Sequence, residues 1–275
     1  MEKQLMLGNE ALARGLYEAG GCLISSYPGT PSTEITEYAS MHKEIYCEWA
    51  PNEKVALEVA FGASLKGVRS ACAMKHVGLN VAADALFTIS YTGINGGLVI
   101  FVGDDPGIHS SQNEQDSRHY AISAKIPMLE PSDSEECKDM TKIAFEISEL
   151  FDSPVMIRTC TRISHSRSIV NIDKRINKDL QEYSKNPSKY VMTPANAIKR
   201  HKFVESRMKR ITEYSESCPL NQACLSSDKL GIICSGTCYQ YVREVFGDSV
   251  SILKLGMINP LPEKTIRDFA KYVKR

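Results

Sequence analysis

The sequence predicts an α/β protein whose main domain is a parallel sheet sandwiched by helices. Residues 1–160 alternate short apolar runs with amphipathic stretches, which is the pattern of strands connected by helices. Apolar residues make up 43% of the chain and charged residues 24%, as in an ordinary soluble globular protein. A chain of 275 residues is long enough for one large domain and part of a second.

The alternation resolves into five strands and five helices. The predicted strands are Cys22–Ser26, Ile45–Trp49, Ser70–Met74, Leu98–Val102 and Val155–Thr159. The predicted helices cover Glu10–Ala19, Ser32–Ser40, Glu53–Lys66, Leu79–Tyr91 and Ser134–Phe151. In open parallel sheets, ligands bind beyond the carboxyl ends of the strands. We therefore expect the functional residues in the loops that follow those ends.

The chain divides into a main domain (1–165), a basic linker (166–228) and the start of a second α/β unit (229–275). Between Arg162 and Glu216, thirteen Lys or Arg face six Asp or Glu. This stretch is either a solvated linker with one or two surface helices or a docking surface for an acidic electron carrier. The second unit has two predicted strands, too few for a stable sheet. We expect it to be truncated or completed by a partner.

Charge and cysteine usage exclude several classes of protein. Thirty-three basic residues balance thirty-three acidic ones, so no net field favours nucleic acid or an anionic membrane. The sequence shows no signal peptide and no apolar run of the roughly 20 residues that span a bilayer. The nine cysteines form no C-x-x-C pair and are predicted to be reduced thiols, mostly buried. A cytoplasmic location is expected.

The segment Tyr27–Glu34 is the first candidate ligand site. It follows a predicted strand and opens a helix, with Ser32 or Thr33 as the N-cap. Gly29 allows a tight turn or the close approach of a ligand, and a helix N-terminus attracts carboxylates and phosphates. A plain strand-to-helix turn explains the same residues equally well.

A carboxyl group at the start of a helix is the second candidate. Glu53 begins a predicted helix on which Ala56, Ala60 and Ala63 share one face. This smooth face lets another backbone or a planar ring approach closely. The alternative is that Glu53 only complements the dipole of its helix.

Two loops at predicted strand ends carry further polar residues. Lys75 and His76 are either an exposed pair or a source of positive charge for a ligand carboxylate. Asp104, Asp105 and His109 suggest a metal site at first sight, but their spacing matches no recognised ligand pattern. We predict a hydrogen-bonded loop there and no metal.

Five runs carry a resemblance to a known family: YPGTPSTE, EWAPNEKVALEVAFGAS, MKHVGLNVAADALFTISYTG, GDDPGIHSSQNEQDSRHYA and KIPMLEPSDSEE. In this order they resemble the α subunit of thiamine-diphosphate-dependent 2-oxoacid:ferredoxin oxidoreductases, most closely the indolepyruvate type. The similarity covers nearly all of residues 5–168 and resumes over 229–275. It implies a pyrimidine-binding domain over 1–165 and the start of a transketolase C-terminal-like domain from 229.

The resemblance assigns roles to the candidate residues. It implies that Glu53 hydrogen-bonds the aminopyrimidine ring of thiamine diphosphate and activates the cofactor by proton transfer. Such a role requires a carboxyl group buried among apolar groups. It further implies that Pro28, Gly29 and Thr30 lie beside the cofactor.

The resemblance also implies a substrate site. Thr30 is expected to contact the 2-oxoacid as well as the cofactor. The segment Lys75-His76-Val77-Gly78 and the loop from His109 to Arg118 are expected to line the mouth of that site.

The implied activity is the oxidative decarboxylation of aryl 2-oxoacids such as indolepyruvate, with coenzyme A and ferredoxin. Thiamine diphosphate with Mg²⁺ is the implied cofactor, but its diphosphate half-site is absent from this chain, since Gly103-Asp104-Asp105 lacks the family's second glycine and asparagine. Iron–sulfur clusters are expected only in the missing part or in a partner. The expected partners are a diphosphate-binding domain and a β subunit, in a hetero-oligomer or homodimer. The chain by itself is expected to be inactive.

Two other functions remain open at this point. One is a non-oxidative thiamine-diphosphate 2-oxoacid decarboxylase subunit, which the indolepyruvate-type run GDDPGIHSSQNEQDSR disfavours. The other is a non-catalytic paralogue that acts as a binding module. The presence of Glu53 and Thr30 disfavours that second alternative.

Overall fold

The computed structural model describes residues 2–275, which form twelve strands and eleven helices. The strands are β1 Glu2–Leu7, β2 Leu23–Ser26, β3 Tyr46–Trp49, β4 Ser70–Lys75, β5 Leu98–Asp104, β6 Met128–Leu129, β7 Val155–Cys160, β8 Arg167–Ile172, β9 Gln222–Cys224, β10 Gly231–Ser235, β11 Ser251–Leu255 and β12 Met257–Asn259. The helices are α1 Gly8–Glu18, α2 Thr33–Ala39, α3 Glu53–Leu65, α4 His76–Thr92, α5 Arg118–Ala124, α6 Ser134–Phe151, α7 Thr161–His165, α8 Pro187–Tyr190, α9 Pro194–Ser217, α10 Thr237–Phe246 and α11 Glu263–Tyr272.

Seven of these strands form one sheet in the order β12-β6-β7-β5-β4-β2-β3. Strands β2 to β7 run parallel, and β12 pairs antiparallel with β6 at one edge. Every residue of β4, β5 and β7 is buried, as expected for central strands that are covered on both faces. The predicted α/β fold is confirmed.

Side chains of β5 alternate between two apolar clusters, one on each face of the sheet. Val99 and Phe101 belong to the cluster that includes residues of α1, α2 and α6. Ile100 and Val102 belong to the cluster that includes residues of α3, α4 and α5. The sheet is therefore sandwiched between helices, and the carboxyl ends of its parallel strands open at a common edge.

All ten predicted elements are present, with ends that shift by three residues or fewer. The largest shift is at α4, which begins at His76. Sequence reasoning missed β1, β6, β8 and β12. Strand β6 has two residues, too few to show a period. Strands β1 and β8 form a separate antiparallel ribbon in which the exposed Leu5 lies opposite the exposed Ile169.

The last part of the chain builds a smaller sheet in the order β10-β11-β9. Its third strand, β9, comes from the stretch predicted as linker. Strand β12, which follows β11 in the chain, belongs to the large sheet. Polar contacts also tie this unit to the main sheet. Lys254 on β11 forms an ion pair with Glu136 on α6, and Ser235 donates a 2.6 Å hydrogen bond to Glu130.

Helix α9 covers the outer side of α4 and holds its carboxyl end. Arg200 Nε donates to the Tyr91 carbonyl at 2.7 Å, and Arg207 Nη2 donates to the Ser90 carbonyl at 2.8 Å. Arg207 Nη1 also donates to the Asp152 carbonyl at 2.7 Å. Burial lowers the pKa of Arg207 to about 10, so the guanidinium stays charged near neutral pH. Two residues of the basic stretch are therefore internal cations that complement the carboxyl end of α4.

The exposed face of α9 is polar. Lys199, Lys202 and Lys209 all lie on the surface at helical spacing. Although α9 is 24 residues long, no helix within residues 2–275 combines the length and the apolar character needed to cross a membrane.

We predict that Arg207→Ala lowers the free energy of unfolding by roughly 3 kcal/mol, because each buried acceptor left without a donor costs about 1–3 kcal/mol. Urea denaturation measures the effect. Lys209→Ala removes an exposed cation from the same helix and should change stability by about 0.5 kcal/mol or less. Equal effects of the two substitutions would contradict the internal role of Arg207.

Candidate functional site

The loops after β2, β3 and β5 and the junction of β4 with α4 lie at the carboxyl edge of the large sheet. The loop after β2 packs against the ends of β4 and β5. A Cβ atom placed on Gly29 would lie 3.1 Å from Lys75 Cβ, and one placed on Gly103 would lie 3.0 Å from Pro31 Cγ. These close approaches bring the Tyr27–Glu34 segment, Lys75 and the end of β5 into one region.

Glu53 begins α3, directly after the edge strand β3. Asn52 caps the helix, since its side-chain oxygen accepts a 3.0 Å hydrogen bond from the Val55 amide. Glu53 itself is 9% exposed, and its carboxyl group packs on the backbone of Gly78 near the start of α4. No hydrogen bond joins that carboxyl group to any of the residues 2–275. The structure therefore presents a largely buried glutamate whose carboxyl group has no hydrogen-bond partner within residues 2–275.

The surroundings of Glu53 are largely apolar, as expected from the sequence. Ala50 and Ala56 are buried, and Val55 is half-buried, whereas Pro51 is exposed. Cys72 lies on β4 and is completely buried. Burial, together with the negative charge of Glu53, raises the pKa of the Cys72 thiol well above its ordinary value. Cys72 therefore remains a neutral thiol.

The Thr30 loop is a tight turn with an exposed tip. The Ser32 amide donates to the Gly29 carbonyl at 2.8 Å, and the Gly29 amide donates to Thr33 Oγ1 at 2.8 Å. Ser32 occupies the N-cap position of α2, but its hydroxyl group donates back to the Gly29 carbonyl at 2.9 Å and does not cap the helix. Thr30 is exposed, and its hydroxyl group has no hydrogen-bond partner in the described part of the chain. It is free to bind a ligand.

Lys75 and His76 lie at the junction of β4 and α4 and hold the loop that follows β5. The Lys75 ammonium group donates to the Ser110 carbonyl, and His76 Nε2 lies 3.2 Å from the Asn113 carbonyl oxygen. Both side chains are buried, so the alternative that Lys75 and His76 are merely an exposed pair is wrong. His76 Nδ1 is buried and finds no partner among the described residues.

Asp105 fixes the start of this loop through four hydrogen bonds. Its carboxylate accepts from the amides of His109 at 3.2 Å and Ser110 at 2.8 Å, and from the hydroxyl groups of Ser111 and Thr161 at 2.5 and 2.8 Å. Burial alone would raise the pKa of Asp105, but these hydrogen bonds hold it well below its ordinary value. The carboxylate therefore remains ionised throughout the neutral range.

The predicted hydrogen-bonded loop is thus present. The amide of His109 is held by Asp105, while its imidazole is exposed and lines a cavity with Thr161, Arg162 and Thr237. Within residues 2–275, no group of three or more His, Cys, Asp or Glu side chains is placed to hold a metal ion.

Sequence reasoning placed Gly78 at the mouth of the site but missed its contact with Glu53, and it missed Asn80. Gly78 leaves space for the Glu53 carboxyl group, and Asn80 binds the loop through a 2.8 Å hydrogen bond to Gln115. A glycine in the first turn of a helix, where alanine is favoured, is the one signal that could have indicated the contact with Glu53.

This arrangement defines the class of protein. A parallel α/β domain places an unpaired glutamate at a helix start and, at the same edge of the sheet, a turn with a free threonine hydroxyl, as expected of a thiamine-diphosphate-binding domain. The family described as pyruvate flavodoxin/ferredoxin oxidoreductase, thiamine diphosphate-binding, matches residues 14–217. The chain belongs to this family, and the resemblance drawn from the sequence is confirmed.

Individual relatives agree with this assignment. The chain is 42% identical to the indolepyruvate oxidoreductase subunit IorA of Archaeoglobus fulgidus, over 100% of this chain and 46% of that protein. It is 44% identical to the subunit of the same name from Pyrococcus horikoshii, over 100% of this chain and 44% of the relative. It therefore spans about half the length of these curated relatives.

A solved structure shares the fold. The 2-oxoglutarate:ferredoxin oxidoreductase from Magnetococcus marinus, with 2-oxoglutarate, coenzyme A and succinyl-CoA bound, superposes with a TM-score of 0.81. The match covers 99% of this chain and 57% of that one at 18% identity. At this identity the likeness establishes the fold.

We predict that Asp105→Asn loosens the loop between residues 106 and 116, because an amide offers one acceptor oxygen in place of two and adds an unmatched donor. Amide hydrogen exchange across the loop should rise about tenfold or more. Asp84→Asn removes an exposed carboxylate that pairs with Lys54 and serves as the control. Unchanged protection in Asp105→Asn would show that the loop does not depend on this carboxylate.

Proposed function

We propose that this chain supplies the cofactor-activating half-site of an enzyme that oxidatively decarboxylates aryl 2-oxoacids of the indolepyruvate type to acyl-CoA, with ferredoxin as the electron acceptor. The observation that carries the proposal is the free, buried carboxyl group of Glu53 at the start of α3. Relatives at 42% and 44% identity that are named indolepyruvate oxidoreductase subunits support the choice of substrate class.

The residues of the site fit thiamine diphosphate. A free carboxyl group in an apolar setting suits an aminopyrimidine ring. The edge of the ring offers hydrogen-bond partners to the carboxyl group, and the two faces of the ring are apolar like the surrounding side chains. When bound, the cofactor supplies the carbon nucleophile that attacks the 2-oxoacid carbonyl. Glu53 exchanges a proton with the ring at its carboxyl oxygen, while Pro28, Gly29 and Thr30 form the neighbouring wall.

The substrate carboxylate is assigned to the cationic side of the site. Lys75 uses one of its three ammonium donors on Ser110, which leaves two for a ligand. His76 has a free Nδ1, and His109 is exposed at the loop tip. Because Lys75 and His76 also hold the loop, substrate binding and loop position are coupled through the same two side chains.

The rest of the enzyme completes the proposal. The diphosphate group and Mg²⁺ require a diphosphate-binding domain, and iron–sulfur clusters require further protein, whether in the same enzyme or in a β subunit. Coenzyme A and ferredoxin are the co-substrates, and the assembly is a hetero-oligomer or a homodimer. Residues 1–165 act as the pyrimidine-binding domain, and residues 229–275 begin the transketolase C-terminal-like domain. We place the enzyme in the cytoplasm, where its nine free cysteines would stay reduced.

Glu53→Gln tests the central assignment. Gln keeps the shape of the side chain and the start of α3 but cannot exchange a proton. In the full enzyme, the rate of thiazolium proton exchange measured by NMR should fall by about 10²-fold or more, in line with the loss of a positioned acid–base group. Thiamine diphosphate should still bind.

Glu58→Gln is the matched control, because Glu58 lies on the exposed side of the same helix. It should exchange at the wild-type rate. If Glu53→Gln also exchanges at that rate, Glu53 is an ordinary N-terminal helix carboxylate and the proposed function loses its basis.

A further variant, Thr30→Val, tests the substrate contact. Loss of one hydrogen bond to a charged group costs roughly 1.5–3 kcal/mol, so kcat/KM for indolepyruvate should fall about tenfold to a hundredfold. The dissociation constant for thiamine diphosphate should change little. Thr88→Val, at an exposed position on α4, is the control. Wild-type kinetics for Thr30→Val would limit Thr30 to a role in the turn.

A further inference from the structure

Gly78 has no conformational reason to be glycine. It is the third residue of α4, and its φ angle is not in the positive range that favours glycine. At a helical position of this kind, alanine is more favourable, because glycine has more backbone freedom to lose on folding. The residues that surround position 78 must therefore explain why it is glycine and not alanine.

The atoms that lie closest to the missing methyl group of Gly78 belong to a single side chain. The three atoms that a Cβ at this position would meet first all belong to Glu53, with Cγ at 2.5 Å and Cδ at 2.6 Å. Gly15 on α1 is different, because its neighbours include the backbone of Lys138. At Gly15 the close approach joins two helices, whereas at Gly78 it joins a helix to one carboxyl group.

We infer that Gly78 is a positioning residue for Glu53, and that the missing methyl group at residue 78 sets where the Glu53 carboxyl group lies. This inference rests on the proposed role of Glu53 in cofactor activation. The side chain of Glu53 has several rotatable bonds, whereas α3 and α4 are both packed into the apolar cluster on one face of the sheet. A methyl group at residue 78 therefore displaces the carboxyl group and leaves the helices in place.

The required displacement is large for an acid–base group. Non-bonded carbon atoms separate to about 3.5–4.0 Å, so the Glu53 Cδ atom must move by about 1 Å from its present place. A misplacement of about 1 Å can cost a reaction on the order of 10²-fold. Folding, by contrast, gains from the higher helix propensity of alanine. We therefore expect Gly78→Ala to preserve or raise stability while it lowers activity. Replacement of a glycine that is needed only for packing would lower stability as well.

The experiment compares Gly78→Ala with Gly62→Ala in the full enzyme. Gly62 is a matched control, because it lies on α3, is exposed and has no atom within 4 Å of the position that an added methyl group would take. Thermal unfolding, thiamine diphosphate binding and thiazolium proton exchange by NMR are measured for both. We expect both variants to keep or raise Tm and to bind the cofactor. Exchange should slow by about tenfold to a hundredfold in Gly78→Ala alone.

A double variant separates this inference from the proposed function. If the methyl group acts only through the Glu53 carboxyl group, Gly78→Ala should add little to Glu53→Gln. Slow exchange in Glu53→Gln with wild-type exchange in Gly78→Ala would overturn the inference and leave the proposed function intact. A wild-type rate in Glu53→Gln would overturn the proposed function itself. A Tm for Gly78→Ala below that of the wild-type enzyme would also overturn the inference, because it would show that the added methyl group disturbs the packing of the helices.

Discussion

The burial of β4 and β5 between two helix layers is the constraint from which the rest of the structure follows. A strand that is covered on both faces cannot present functional side chains from its middle, so polar groups can reach a ligand only beyond its carboxyl end. Both strands are buried along their whole length, and Lys75 and Asp105 lie at or just past their ends. The close contacts of Gly29 and Gly103 then bring the turn after β2 into the same region.

Helix α4 links this region to the remainder of the chain. Its amino end carries His76 and Gly78, which contact the loop and the Glu53 carboxyl group. Its carboxyl end is held by Arg200 and Arg207 from α9. The basic stretch after the main domain therefore has two parts with different physical roles. Its buried arginines satisfy the carbonyls of α4, while its exposed lysines leave a positive surface on the opposite side of α9.

The sequence was sufficient for those features that depend on local pattern. The helix from Ser134 to Phe151 matches its prediction to the residue, and in the structure the Asp133 side chain caps it by accepting from the Glu136 amide. Glu53 is a candidate on pattern alone, since it is a carboxyl group at a helix start followed by small residues, but its role as cofactor activator came from the family resemblance. The apolar runs of β4, β5 and β7 are equally visible, and their order along the chain fixed the α/β class.

Features that depend on distant partners could not be predicted in this way. Strands β6 and β12 are short and depend on their partners, since β6 pairs with both β7 and β12, and β1 exists because β8 lies beside it. The partners of Lys75 and His76 are backbone carbonyls, which every residue carries and no motif reveals. The role of Gly78 emerges only when α3 and α4 are brought together, since Glu53 and Gly78 are far apart in the sequence.

The burial of Cys72 has a consequence for the resistance of the site to oxidation. A thiol reacts with oxidants as the thiolate, and both burial and the charge of Glu53 oppose ionisation of Cys72. Cys224 and Cys238, in contrast, lie on the surface of the smaller unit. Peroxide that reaches the protein therefore meets those two sulfur atoms first. Sulfenic acid would form at Cys224 and Cys238 before it forms at Cys72.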